Sequence, residues 1–194
     1  MRSSVPIEHP PQGSVLFHDE SVPKVLHIPR TGGHARAASL RGAAMHGLVA
    51  LAPHNTRASM VSGPTICFVR HPVVRFLSAA RRLKLEPQEL LRRHVAKNTN
   101  TGSVELLCRH QTWWLDAPGV EVHTTEMMDM SWPRLVEKYD WPVNPLPGKD
   151  HPDRNASVGA LPEVTNEVWE AIAVTFDDDM NLWQDAYDED MTWL

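Results

Sequence analysis

The chain has 194 residues, 42% of them hydrophobic and 22% charged, the composition of a globular protein with a sizeable core and not of a disordered or collagenous chain. Its net charge is −5, no apolar run approaches the roughly 18 residues of a membrane span, and the N-terminus, with Glu8, His9, Pro10 and Pro11, lacks the apolar segment of a secretory signal. The expectation is a soluble, cytoplasmic protein in which Cys67 and Cys108, which lack any redox or metal-ligand spacing, are free thiols.

Residues 1–23 are rich in Pro, Ser and His without a period and read as an irregular arm; residues 24–194 read as a single α/β domain. Lys24 to Pro29 is a short apolar strand bounded by turn signals. The Ala-rich stretch from His34 to Leu51 has helix propensity, weakened by Gly42 and Gly47. Thr65 to Arg70 is a second buried strand, broken by His71-Pro72. Pro72 suits the first turn of a helix reaching about Leu85, with Val73, Phe76, Leu77 and Ala80 on its apolar face and Arg75, Arg81 and Arg82 off it. Helices are expected at Pro87–Lys97 and Ser103–Leu115, and a third strand at Gly119–Thr124. After Ser131 the chain becomes Pro-rich around Trp141 to Pro152, then helical from Pro162 to Phe176. The acidic stretch Asp177–Asp190 has Trp169, Trp183 and Trp193 near it, which favours its docking on the fold, with Asp177 to Asp179 as a solvated helix end. Strands alternating with helices imply a three-layer sandwich, a central parallel sheet flanked by helices, whose functional loops lie at the carboxyl ends of the strands.

The charge is divided. Residues 24–110 hold fourteen Lys or Arg against three acids, a balance of +11, whereas residues 111–194 hold four bases against eighteen acids, a balance of −14. Such a field concentrates an anionic ligand near the basic half. Two segments of that half can take it. In His27-Ile28-Pro29-Arg30-Thr31-Gly32-Gly33-His34 an apolar strand ends in a cation and two glycines before a helix, which directs free backbone N–H groups at an anion. It is not a Walker A loop, since His34 and Ala35 stand where Lys and a hydroxyl would be required. In Arg70-His71-Pro72-Val73-Val74-Arg75-Phe76-Leu77-Ser78 a second strand ends in a cation and enters a helix bearing Ser78. Two such junctions side by side suit a ligand with two separated anionic groups.

The first segment resembles the 5′-phosphosulfate loop of sulfotransferases, HIPKTGG followed by hydroxyl residues, and the second resembles their 3′-phosphate motif, R-[DN]-P-x-x-R-x-x-S. The resemblance implies a P-loop NTPase-like sulfotransferase fold and 3′-phosphoadenosine 5′-phosphosulfate (PAPS) as sulfuryl donor, with 3′,5′-ADP as product and no metal. Carried over by position, Arg30 would contact the 5′-phosphosulfate and cover charge on the leaving phosphate. Thr31, Gly32, Gly33, His34 and Ala35 would supply backbone donors, and Arg70 with Ser78 would hold the 3′-phosphate. More diffuse similarity to the carbohydrate-type branch appears in His54-Asn55-Thr56-Arg57-Ala58, in Gln111 and Glu126, and in Asn155 with Ser157. It makes the implied acceptor a hydroxyl of a carbohydrate or similar small polar molecule. His54 is the nominated general base, because a neutral imidazole with a pKa of roughly 6.5 suits proton transfer near pH 7; Glu126 is the reserve. The sequence departs from the pattern at Arg30, in place of Lys, at His34 and Ala35, in place of hydroxyls, and at His71, in place of an acid. The alternatives are a nucleotide-binding or interaction protein that keeps the fold without catalysis, and a phosphotransferase, which the missing GK[ST] signature disfavours. No nucleic-acid reader motif is present and neither nucleic acid nor membrane is an expected partner; oligomeric state is left open.

Overall fold

The computed structural model describes residues 18–96, 102–142, 146 and 160–192. Four strands, β1 (Lys24–Leu26), β2 (Ala50–Leu51), β3 (Thr65–Val69) and β4 (Val120–Thr124), form an all-parallel sheet in the order β2-β1-β3-β4. Lys24 lies opposite Ala50 on one side and Thr65 on the other, and Thr65 lies opposite Val120. Seven α-helices accompany the strands among the described residues: α1 (Gly33–Met45), α2 (Pro72–Leu83), α3 (Pro87–Val95), α4 (Gly102–Cys108), α5 (Met128–Lys138), α6 (Asn166–Thr175) and α7 (Asp177–Met191). None is long and apolar enough to cross a membrane.

Successive strand side chains point to opposite faces, so each strand feeds two cores. Val25, Ile66 and Phe68 pack with Leu40 and Ala43 of α1 and with Met128, Trp132 and Leu135 of α5. Leu26, Cys67 and Val69 pack on the other face with Trp114 and with Ala186 of α7. A third cluster through Phe76, Leu90, Cys108, Ile172 and Phe176 joins α2, α3, α4 and α6. The sheet is packed on both faces, which is why the central strand β3 reads as a continuous apolar run, whereas the edge strand β4 carries Glu121 and His123 and is partly buried. Cys67 and Cys108 are free and buried, and burial pushes both thiols up to about 12.

Several boundaries differ from the sequence expectation. The helix expected to reach Leu51 ends at Met45, because Gly47 adopts φ 71° and lets the N–H groups of Gly47 and Leu48 bond back to Ala44 and Ala43. That stop frees Ala50 and Leu51 to form β2, a strand the sequence did not suggest. Gly42, the other expected weak point, lies inside the helix. The expected helix Ser103–Leu115 is α4 followed by a separate 3-10 turn, Gln111–Trp114, and α6 starts at Asn166 instead of Pro162. Beyond Ser131, where no helix was expected, α5 accommodates Pro133 because Met128, Trp132 and Leu135 bury against the sheet. Arg75, read as lying off the apolar face of α2, is buried. Trp193, Lys97 and residues 147–152 of the Pro-rich stretch lie outside the described residues, as do residues 1–17 of the N-terminal arm.

The acidic stretch docks as α7, but Asp179 is not a solvated end: it is 0% exposed, and Asp190 is also buried. Asp190 Oδ2 accepts from the backbone N–H and the hydroxyl of Thr124, and its Oδ1 lies 2.7 Å from His123 Nδ1. Glu121 Oε1 is 3.3 Å from the other ring nitrogen and its Oε2 accepts from Lys138 and Tyr139. Burial works against the charged His123, but bonding to Asp190 and Glu121 prevails and raises its pKa above 6.5. Its contribution to stability is therefore complete below about pH 6.5 and is lost as pH rises through the higher folded value. Asp190→Asn is expected to cost about 3 kcal/mol at pH 6, with the gap to wild type narrowing by pH 9; thermal melts of both proteins across that range test it.

Candidate functional site

The sheet order fixes where a ligand can approach. From β1 the chain moves to β2 on one side and then to β3 on the other, so the topological switch point lies between the carboxyl ends of β1 and β3. Residues 27–32 and 70–71 leave those two ends and therefore meet.

The first loop turns through left-handed backbone at Arg30, φ 71°, and at Gly32, φ 77°. The latter needs no Cβ, whereas Arg30 bears the strain of a non-glycine residue in that region. Gly32 caps α1 without any side-chain bond to the helix, which leaves the first N–H groups of α1 available. Gly33 is constrained for a different reason: a Cβ there would lie 1.9 Å from Nε2 of His27, whose ring would have to move aside. The His27 ring covers Gly33 and lies 3.9 Å from the ring of His54. Thr31 is fully buried, its hydroxyl donating to the carbonyl of Ile28, and Ala35 is buried as well. The side chain of His34 lies outside the described residues.

Arginines tie the two junctions together. Arg30 donates from Nε and a terminal nitrogen to the hydroxyl of Ser78, at 3.0 and 2.7 Å, crossing from the first junction to the helix of the second. Arg70 donates to the carbonyl of Arg30 at 3.3 Å. Arg75 donates to the carbonyls of Pro29 and Arg109, at 3.0 and 2.9 Å. Burial, followed by the charges of Arg70, Arg81 and Arg82, brings Arg30 down to about 10. Arg75 falls to about 10 through burial, and burial lowers Arg70 too. All stay cationic at neutral pH, and the mutual repulsion recorded at Arg30 is what an anion placed among them would relieve.

Asp179 and Glu126 hold the second junction from the acidic half. The two oxygens of Asp179 accept from the backbone N–H groups of Gln111 and Thr112, at 2.7 and 3.0 Å. Gln111 in turn uses its amide as a substitute strand partner: its Oε1 accepts from the N–H of Arg70 and its Nε2 donates to the carbonyl of Arg70, both at 2.9 Å. Glu126, just beyond β4, accepts from the N–H of His71 and from the indole of Trp183, each at 3.2 Å. His71 itself sits between Trp169 and Trp183.

The expected residues thus converge: Arg30, Arg70 and Ser78 form one network, and Thr31, Gly32, Gly33 and Ala35 lie in the adjoining turn and first helical turn. Ser78 receives Arg30 and not Arg70. His54 reaches this cluster through His27, whose carbonyl lies 3.3 Å from His54 Nδ1; with a proton on Nδ1 the basic lone pair is on Nε2. Glu126 is engaged at both oxygens, a geometry that suits holding the entrance to α2 more than proton transfer. Asn155 and Ser157 lie outside the described residues. No group of three or more His, Cys, Asp or Glu side chains among the described residues is arranged to hold a metal ion. Sequence reasoning missed the roles of Arg36, Arg75 and Asp179. Arg75 was discoverable, because it occupies the second arginine of the R-x-P-x-x-R pattern; Asp179, 68 residues from Gln111, was not.

Gly33→Ala is expected to destabilise the protein by about 1–3 kcal/mol through the clash with His27, and His27→Ala should recover part of that loss in the double variant. Chemical denaturation of the four proteins of the cycle measures it. No protein-family model, no curated protein and no solved structure matches the chain.

Proposed function

We propose that the protein is a PAPS-dependent sulfotransferase acting on a hydroxyl of a carbohydrate or similar polar acceptor, with a P-loop-like version of the three-layer fold. The observation that carries this reading is the bridge from Arg30 to Ser78, with Arg70 on the carbonyl of Arg30, which makes one cationic platform of two strand-to-helix junctions. A ligand with anions at both ends, as in 3′,5′-ADP, matches a platform of that kind better than a ligand with a single phosphate chain. In the reaction the acceptor oxygen forms a bond to sulfur as the bond from sulfur to the donor's 5′-phosphate oxygen breaks. The acceptor proton passes to the base, for which His54 is the candidate, and 3′,5′-ADP leaves. Positioning and cover for the charge growing on the leaving phosphate are the main demands, and Arg30 is placed to meet the second.

One feature favours binding without transfer as the second reading. The hydroxyl of Thr31 is turned into the fold and Ala35 has none, so the described side chains of the loop present no hydroxyl to a donor. Calorimetry with 3′,5′-ADP and ATP, together with transfer of radiolabelled sulfate to a panel of glycans and alcohols, separates the two. The expected outcome is preference for 3′,5′-ADP over ATP, with transfer. Arg30→Ala and Arg70→Ala are each expected to weaken that binding about 10- to 100-fold, the worth of a charge-assisted hydrogen bond. Binding without transfer selects the second reading, and absence of 3′,5′-ADP binding by wild type rules out both.

A further inference from the structure

Arg36 lies one turn into α1 and is 2% exposed, yet its side chain folds back beneath the loop it follows. One terminal nitrogen donates to the carbonyl of Thr31 and the other lies 3.3 Å from the Thr31 hydroxyl. The first of these is 3.5 Å from where a Cβ on Gly32 would be, so the guanidinium sits directly against the turn. The ring of Phe68 lies 4.3 Å below it and the sulfur of Met128 beside it, while its Nε is buried with no hydrogen-bond partner. No carboxylate among the described residues pairs with it, and the acidic group nearest in effect is the Cys67 thiol, which burial keeps protonated. Arg75, the other buried arginine of the region, at least feels the charge of Asp179.

A buried cation with a carbonyl, a ring and a sulfur for company is costly in the empty protein. It is also not the only tie on the loop. The carbonyl of Thr31 shares the single hydroxyl proton of Thr125 with the carbonyl of Val69, at 3.1 and 3.0 Å, and the Thr31 hydroxyl has its own acceptor in Ile28. What the charge does have beside it is the N-terminus of α1, which no side chain caps, a position that favours an anion. We infer that Arg36 is the built-in counter-charge of this loop, a positioning residue that makes it a site for a di- or polyanionic group such as a phosphosulfate or pyrophosphate, where His34 and Ala35 supply no hydroxyls. The inference rests on the loop being an anion site, but not on PAPS being the anion.

The two roles a buried arginine can have predict opposite changes. The test is thermal melting and calorimetry of wild type, Arg36→Met, Arg36→Gln and Arg36→Lys, each with no ligand, with inorganic pyrophosphate and with 3′,5′-ADP. For a counter-charge, Arg36→Met and Arg36→Gln melt at or above the wild-type temperature without ligand but bind pyrophosphate at least about tenfold more weakly, and so lose most of the ligand-induced rise in Tm. Arg36→Lys keeps binding within about threefold, since it keeps the charge. Should Arg36→Met fail to fold, Arg36→Gln and Arg36→Lys carry the comparison. Wild-type pyrophosphate affinity in the uncharged variants, or absence of any rise in Tm with either ligand in wild type, overturns the inference. A wild type stabilised by pyrophosphate but not by 3′,5′-ADP leaves Arg36 in its role and removes the sulfotransferase reading instead.

Discussion

Four guanidinium groups are gathered at one end of the sheet, and providing for them shapes everything around it. A charge withdrawn from water needs either an opposite charge or a set of well-aimed acceptors. Here the acceptors are mostly backbone carbonyls, those of Pro29, Arg30, Thr31 and Arg109, together with the hydroxyl of Ser78. Acceptors spread over three segments, residues 29–31, Ser78 and Arg109, can be offered to neighbouring arginines only if those segments are held in fixed relation. The arginines therefore report, and in turn stabilise, the close approach of the β1 and β3 loops.

The acidic half of the chain supplies the restraint. Asp179 and Asp190 sit eleven positions apart on α7, and each spends its carboxylate on backbone N–H groups of another element: Gln111 and Thr112 in one case, Thr124 in the other. From Asp179 the order passes through Gln111 to both main-chain groups of Arg70. From the same helix Trp183 reaches Glu126, and Glu126 the N–H of His71. The division of charge along the sequence thus has two physical parts. The basic half builds the platform, and buried acids of the other half align the backbone that carries it.

This economy separates two kinds of arginine. Arg30 and Arg70 stand beyond the ends of β1 and β3 and are half-buried, whereas Arg36 and Arg75 are buried beneath and donate to the loop carbonyls above them. Burying the latter pair is an unusual expense for a small fold. The same logic explains the crowded glycine at position 33, where the His27 ring leaves no room for a Cβ and lies close to the ring of His54.

Much of this was legible in the amino-acid sequence. The apolar runs at Val25 and at Ile66 to Val69 announce buried strands, and Pro72 announces the start of α2. The order cation, two glycines, helix, then cation, proline, helix, serine marks two strand-to-helix junctions, which the sheet order brings together. These are local signals, set by side-chain burial, backbone freedom and the missing N–H of proline. What the sequence alone left undecided depends on contacts between distant segments. The helix at Met128 to Lys138 contains a proline and forms because Trp132 and Leu135 find the sheet; the edge strand at Ala50 exists because Gly47 stops α1 in register with β1. Asp179 looked like a solvated helix end because nothing near it in the chain reveals the two N–H groups it satisfies. Position along the chain determined which cations stand at the strand-to-helix junctions, and only packing across the sheet decided which of them are half-buried, which lie buried beneath the loops, and which acids hold the backbone in place.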